Sequence, residues 1–302
     1  MTTDRRIQRL LAATDFSETA AAGLDWAVEI ASRHGARIYL VHALQLPGAT
    51  TDFIVSPPDW SEAIQAAALR RLEAEAARVA DRGVEVTTDL RLGAAAEAIL
   101  EAADERDADL VALGTRGLTG LRHLLLGSTA QRVVQQSRRP VLGVHPGDAS
   151  KHRALRRILV PTDFSRDAEE AARAVRRLLP ADGEPPRLIL LHVYHLPVEF
   201  TAYGTVPTSL AWMDDIGGEI ESRLESLAAD LRQDGIEVEI AAREGYPPEA
   251  IVEEAAKRGA DLVAMGTHGR SGLRHLLLGS TAERVVAMAP CPVLTVRRRE
   301  GE

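Results

Sequence analysis

Two sets of glycines with hydroxyl residues behind them are the positions best suited to chemistry. Gly114 and Gly117 are followed, after nine residues, by Gly127-Ser128-Thr129. Gly266 and Gly269 are followed at the same spacing by Gly279-Ser280-Thr281. A glycine leaving a strand can take positive φ and lets a ligand lie against bare backbone. A Gly-Ser-Thr step that opens a helix offers unpaired amides, two hydroxyls and the positive end of the helix dipole, a combination suited to phosphate oxygens. The loops between add Arg122, His123, Arg274 and His275. As plain structure the glycines would be turns and Ser128 and Ser280 helix N-caps. Recurrence at two strand-to-helix crossings favours the phosphate site. The pattern is neither the Walker loop, since no Gly-Lys-Ser/Thr occurs, nor the dinucleotide G-x-G-x-x-G.

The elements that must position these residues come in two copies. The decapeptide LRHLLLGSTA stands at Leu121–Ala130 and again at Leu273–Ala282. The halves also match as LAATDFS with LVPTDFS, IYLVHAL with LILLHVY, DADLVALGTRG with GADLVAMGTHG and RPVLGV with CPVLTV. This is a duplicated domain, over residues 1–146 and 154–299, with a short link at Pro146–Arg153 that implies halves packed together. In the first half, strand-length apolar runs lie near Ile7–Ala13, Ala36–Ala43, Glu85–Leu90, Leu110–Leu113 and Val141–Val144. Helical stretches lie near Ser17–His34, Trp60–Arg82, Ala94–Arg106 and Ser128–Gln136. The second half repeats the order, and Pro247-Pro248 suits the first turn of its third helix. Alternating buried strands and helices imply an α/β fold, a parallel sheet covered on both faces, with a ligand outside the strands' carboxyl ends where strand order switches.

With these motifs the chain resembles a tandem universal stress protein of the subgroup whose members bind ATP. That family's marker, G-x2-G-x9-G-[S/T], is intact in both halves. The resemblance implies two tandem Rossmann-like domains of the HUP type (adenine nucleotide alpha hydrolase-like), each a five-stranded parallel sheet flanked by helices. It implies an adenine nucleotide, ATP, lying across the strand tips. Asp15 and Asp163 would contact the nucleoside end, beside Ala13 and Thr14 in one half and Pro161 and Thr162 in the other. The backbone of Ala43 and Val193 would meet the adenine edge. Leu113 and Met265 precede the first glycines, and the phosphates would lie on Gly114, Gly117, Gly127, Ser128 and Thr129, and on Gly266, Gly269, Gly279, Ser280 and Thr281. Magnesium or manganese would accompany the nucleotide through its phosphate oxygens. Ala13, Ala43 and Arg116 depart from the family's usual residues, so the two sites would differ in affinity. The last strands, Pro140–Val144 and Pro292–Val296, resemble those through which family members pair, implying an internal pseudo-dimer that could itself form a homodimer.

Other residues have simpler readings. Asp15 and Asp163 stand where they could cap the following helices, and Glu18, three residues after Asp15, resembles a capping box. His42 and His192 end strands in matching registers with no second ligand at zinc spacing. The single cysteine, Cys291, sits between two prolines and reads as buried packing, and one cysteine permits no internal disulfide.

Composition narrows the function. The net charge of −8 argues against tracking a phosphate backbone, so no nucleic-acid partner is expected. No apolar run is long enough for a signal peptide or a membrane span, which with the cysteine count points to the cytoplasm. No paired-carboxylate, Ser-His-Asp or Cys-His arrangement stands out. The resulting expectation is a nucleotide-responsive stress or regulatory protein read by a partner protein. The alternatives are a slow ATPase or phosphotransferase, and an interaction protein with vestigial sites.

Overall fold

The computed structural model describes residues 7–45, 58–117, 126–145, 155–179, 186–195, 198–201, 204–207, 210–233, 235–269 and 278–297. Arg122, His123, Arg274, His275 and the link between the halves lie outside these residues. The chain divides into two compact units.

The first unit runs β1 (Arg9–Ala13), α1 (Glu18–His34), β2 (Arg37–Leu44), α2 (Pro58–Ala80), β3 (Val86–Leu92), α3 (Ala95–Glu105), β4 (Leu110–Gly114), α4 (Ser128–Gln136) and β5 (Val141–Val144). Its strands lie side by side in the order β3-β2-β1-β4-β5, all parallel. Helices on both faces explain why β1 is apolar without alternation: Leu10, Leu11 and Ala12 are wholly buried. At the edge, β3 (VTTDLRL) has no fully buried residue. The chain builds outward from β1 to β3 and then crosses back to β4 on the other side of β1. Strand order therefore switches at β1 and β4, and their carboxyl ends diverge into a crevice. The amino ends are tied instead: the Asp109 carboxylate before β4 accepts the backbone N–H groups of Gln8 and Arg9 at 2.8 and 3.0 Å.

The second unit is built alike. It runs β6 (Arg157–Pro161), α5 (Arg166–Leu178), β7 (Arg187–Tyr194), β8 (Val198–Thr201), β9 (Gly204–Pro207), α6 (Leu210–Gln233), β10 (Glu237–Glu244), α7 (Pro247–Arg258), β11 (Leu262–Gly266), α8 (Ser280–Met288) and β12 (Val293–Val296). Its parallel order is β10-β7-β6-β11-β12. Asp261 repeats the tie, accepting from the amides of Arg156 and Arg157 at 3.0 and 2.8 Å. Each unit is thus a Rossmann-like α/β sheet. In the second unit an antiparallel hairpin, β8–β9, stands between β7 and α6, and its four-residue strands are too short to carry a periodic signal. Pro247 opens α7 as its spacing implied.

Candidate functional site

The turn after β1 is built from three short-range bonds. Thr14 Oγ1 accepts from the Phe16 amide at 3.0 Å, Asp15 Oδ1 accepts from the Ser17 amide at 3.0 Å, and Ser17 Oγ accepts from the Ala20 amide at 3.1 Å. The helix cap is therefore Ser17, and Asp15 stands one step outside it in a turn that fixes its carboxylate. The capping-box reading of Asp15 is corrected by this geometry. Thr162, Asp163 and Ser165 repeat the bonds at 3.0, 3.0 and 3.3 Å. Closing so tight a turn puts Phe16 and Phe164 at φ of 63° and 62°.

The glycines are explained by close approach. None of the six pattern glycines has a positive φ among the described residues, which corrects the expectation of left-handed turns. A β-carbon at Gly114 would lie 2.8 Å from the Thr19 carbonyl carbon and 2.9 Å from the Ala20 amide nitrogen, so the residue is small because α1 presses on it. At Gly117 the obstacle would be Asp15 Oδ2 at 2.7 Å. At Gly127 it would be the Thr115 carbonyl oxygen at 3.2 Å, which already accepts the Gly127 amide at 2.9 Å. Gly266, Gly269 and Gly279 meet Asp167, Asp163 and Thr267 in the same way.

Gly127, not Ser128, is the N-cap of α4, and no side chain caps the helix. Gly279 holds the same position on α8. The plain-cap reading of Ser128 and Ser280 is thereby replaced. The first intrahelical bond runs from the Gln131 amide to the Gly127 carbonyl at 2.8 Å. The amides of Ser128, Thr129 and Ala130 thus have no carbonyl of their own helix to meet. They line a cavity of about 250 Å³, near the lower end of small-ligand clefts, about 300 Å³.

All ten first-unit residues that the resemblance places against a nucleotide line this cavity. Ala13, Thr14 and Asp15 come from the end of β1, and Ala43 from β2. Leu113, Gly114 and Gly117 come from β4 and the turn after it, and Gly127, Ser128 and Thr129 from the start of α4. The motifs did not reveal Val41, Ala95, Ile99 and Thr115, which also line it. Val41 was accessible through alternation, since it shares a strand face with Ala43. Because β2 and β4 flank β1 on opposite sides, Val41 and Ala43 form an apolar end and α4 an amide end. Asp15 stands between, and Arg116 adds a positive charge. In the second unit, Pro161, Thr162 and Asp163 follow the course of β6. Val193 is the next-to-last residue of β7, Met265 and Gly266 end β11, Gly269 follows it, and Gly279, Ser280 and Thr281 open α8.

Behind the cavity, His42 lies on the opposite strand face from Val41 and Ala43. Its Nδ1–H donates to the Thr14 carbonyl at 2.8 Å, and His192 does the same to Thr162 at 2.7 Å. Both histidines therefore brace the turn. The Phe16 and Phe164 rings rest on them at 4.4 and 4.5 Å. Glu75 of α2 reaches the same spot. Burial pushes its carboxyl above the usual range, against the opposing pull of the Thr14 hydroxyl, Arg78, Arg71 and His42. Among the described residues, no group of three or more side chains could hold a metal ion, and no helix is long and apolar enough to cross a membrane. Cys291 is buried, as its setting implied.

Comparison with known proteins agrees with the duplication. The family model described as the universal stress protein family matches residues 6–145 and 154–297. A universal stress protein of Mycolicibacterium smegmatis is 28% identical over 96% of this chain and 97% of its own. One of Thermus aquaticus is 38% identical, spanning 46% of this chain and 97% of its own, the length of a single half. Among solved structures, a universal stress protein from Archaeoglobus fulgidus matches with a TM-score of 0.74. It covers 99% of this chain and 100% of its own at 22% identity, a likeness of fold.

Proposed function

Because the chain belongs to the universal stress protein family, we propose that it is a cytoplasmic regulatory protein that binds ATP across the strand tips of one or both units. One observation carries this reading: a cavity with an apolar end and, opposite it, the uncapped start of a helix. That division suits a ligand with a flat apolar head and an anionic tail. In the first unit the base would lie against Val41, Ala43 and Leu113, and Asp15 would accept hydrogen bonds from ribose hydroxyls. The phosphates would meet the Gly117 amide and the amides of Ser128 and Thr129, which have no partner within their helix, and the helix dipole there favours negative charge. In the second unit Asp163, Val193, Met265 and the Gly279–Thr281 step have the same parts. A magnesium or manganese ion would be held through phosphate oxygens and water rather than by a protein cage.

Binding, rather than turnover, is the proposed role. A nucleotide that favours one conformation shifts the population of states, and a partner protein reads the shift. The test is calorimetric titration of ATP into the parent chain and the variants Thr129→Glu and Thr281→Glu. A carboxylate in the first turn of a helix supports the helix while repelling phosphate. Each substitution should therefore remove the binding at its own unit without lowering the melting temperature. No heat of binding at millimolar ATP would overturn the reading. Phosphate release within a single turnover as fast as binding would replace it with an enzyme.

A further inference from the structure

The two units differ at the outer rim of their strand tips. In the first, Gln45 follows β2 and Ala94 precedes α3. In the second, the matching positions hold two rings: His195 follows β7, and Tyr246 is the N-cap residue of α7. Their centroids are 6.5 Å apart and their planes inclined by 31°. At that separation His195 and Tyr246 touch as a tilted aromatic pair, and together they make an exposed aromatic rim. The Arg284 guanidinium, from α8, sits over the Tyr246 ring at 5.4 Å and braces it. Tyr246 is 42% exposed, a large ring left open to solvent.

The position of the rings matters as much as their spacing. Val193 lies two residues before His195, and Pro247 and Ile251 follow Tyr246 in α7. Their counterparts in the first unit, Ala43, Ala95 and Ile99, line the apolar end of the cavity. The rings therefore flank the end of the second unit that faces a base, not the end that faces phosphate.

We propose that His195 and Tyr246 form an aromatic platform on which a purine base stacks, making the second unit more selective than the first for ligands that carry a base. The proposal rests on the nucleotide reading above and deepens it. Removing one base–aromatic stack should weaken binding about 5- to 150-fold, the equivalent of about 1–3 kcal/mol.

The experiment uses the Thr129→Glu chain, so that the second unit is read alone, and titrates it with ATP and with inorganic triphosphate. Adding Tyr246→Ala should weaken ATP at least 5-fold and leave triphosphate unchanged. Tyr246→Phe should restore ATP binding, and His195→Ala should weaken ATP in the same direction. If ATP still binds and Tyr246→Ala changes nothing, or weakens ATP and triphosphate equally, the platform is overturned while the nucleotide reading stands. If the Thr129→Glu chain binds no ATP at all, the nucleotide reading of this unit fails and the platform with it.

Discussion

Asp15 and Gly117 meet across the tips of β1 and β4 so closely that a β-carbon on the glycine would lie 2.7 Å from the carboxylate Oδ2. Asp163 and Gly269 repeat the approach at 2.6 Å. The other oxygen of each aspartate is held by the amide of Ser17 or Ser165 at 3.0 Å, so the carboxylate cannot swing away freely. The second glycine of each pattern is therefore small to leave room for an acid, an acid that the proposed function needs beside the ligand.

Gly117→Ala should displace Asp15. An overpacked contact of this kind costs about 1 kcal/mol, and ATP binding should fall with it. Asp15→Ala in the same chain should recover most of the stability but not the binding. A double-mutant cycle by urea denaturation reads the coupling. Additive effects of the two substitutions would mean that this contact does not set the glycine.

Gly114→Ala should cost more, about 2–3 kcal/mol, toward the upper end for overpacking. Here the nearest backbone atoms are the Thr19 carbonyl carbon and the Ala20 amide nitrogen, at 2.8 and 2.9 Å. Truncating a side chain does not move backbone, so Thr19→Ala should recover little. A urea midpoint for Gly114→Ala within error of the parent would contradict the close packing of α1 on β4.

The contrast between these glycines shows what could be read in the sequence. Two matching series of apolar runs and helical stretches were enough for two parallel sheets, because buried strands such as β1 and β6 carry no polar alternation. Ala13, Asp15, Ala43, Leu113 and Gly127, assigned together through the family resemblance, do line one cavity. The reason for each glycine was not legible, since it depends on which atom of another element faces it. Ile99 escaped notice because the periodicity of α3 marks an apolar face without saying which strand tips it covers. The sequence left a capping role open for Asp15 beside its ligand role, because Asp and Ser are both good caps, and only the bond from the Ala20 amide to Ser17 distinguishes them. The β8–β9 hairpin escaped notice because its four-residue strands are too short for a clear alternation.

Phe16 should tolerate glycine better than alanine. Its φ of 63° lies in the left-handed region, where a β-carbon costs about 1–2 kcal/mol. Both substitutions lose the ring's contacts with His42 and with Arg71, which lies 4.3 Å above it, but only glycine relieves the backbone. Glycine's freer unfolded chain takes back part of that gain. Phe16→Gly should therefore be more stable than Phe16→Ala by about 0.5–1 kcal/mol in urea. The reverse order would show that the turn is not strained.

Glu75 should make the first unit's stability fall as pH rises above the ordinary glutamate range. Burial raises its carboxyl above the usual 4.5, and Oε2 is buried with no hydrogen-bond partner among the described residues. Below 4.5 the side chain is protonated in both folded and unfolded chains and carries no linked cost. Between 4.5 and the raised folded value the unfolded chain ionises first, so it binds fewer protons than the folded one and stability declines. Above that value the whole penalty is present. The charges that share the spot, Arg71, Arg78 and His42, reduce this effect without reversing it. In the second unit, Arg223 lies over Phe164 as Arg71 lies over Phe16, and the residue four positions on is Leu227 in place of Glu75. Glu75→Leu should therefore stabilise the protein at pH 7 by about 1 kcal/mol, the cost of an unsatisfied buried polar atom less the acceptor that the Thr14 hydroxyl loses. The gain should shrink as pH drops toward 4. Urea midpoints of both chains from pH 4 to 8 measure it, and a difference that stays constant across that range would exclude a desolvated carboxylate behind the turn that carries Asp15.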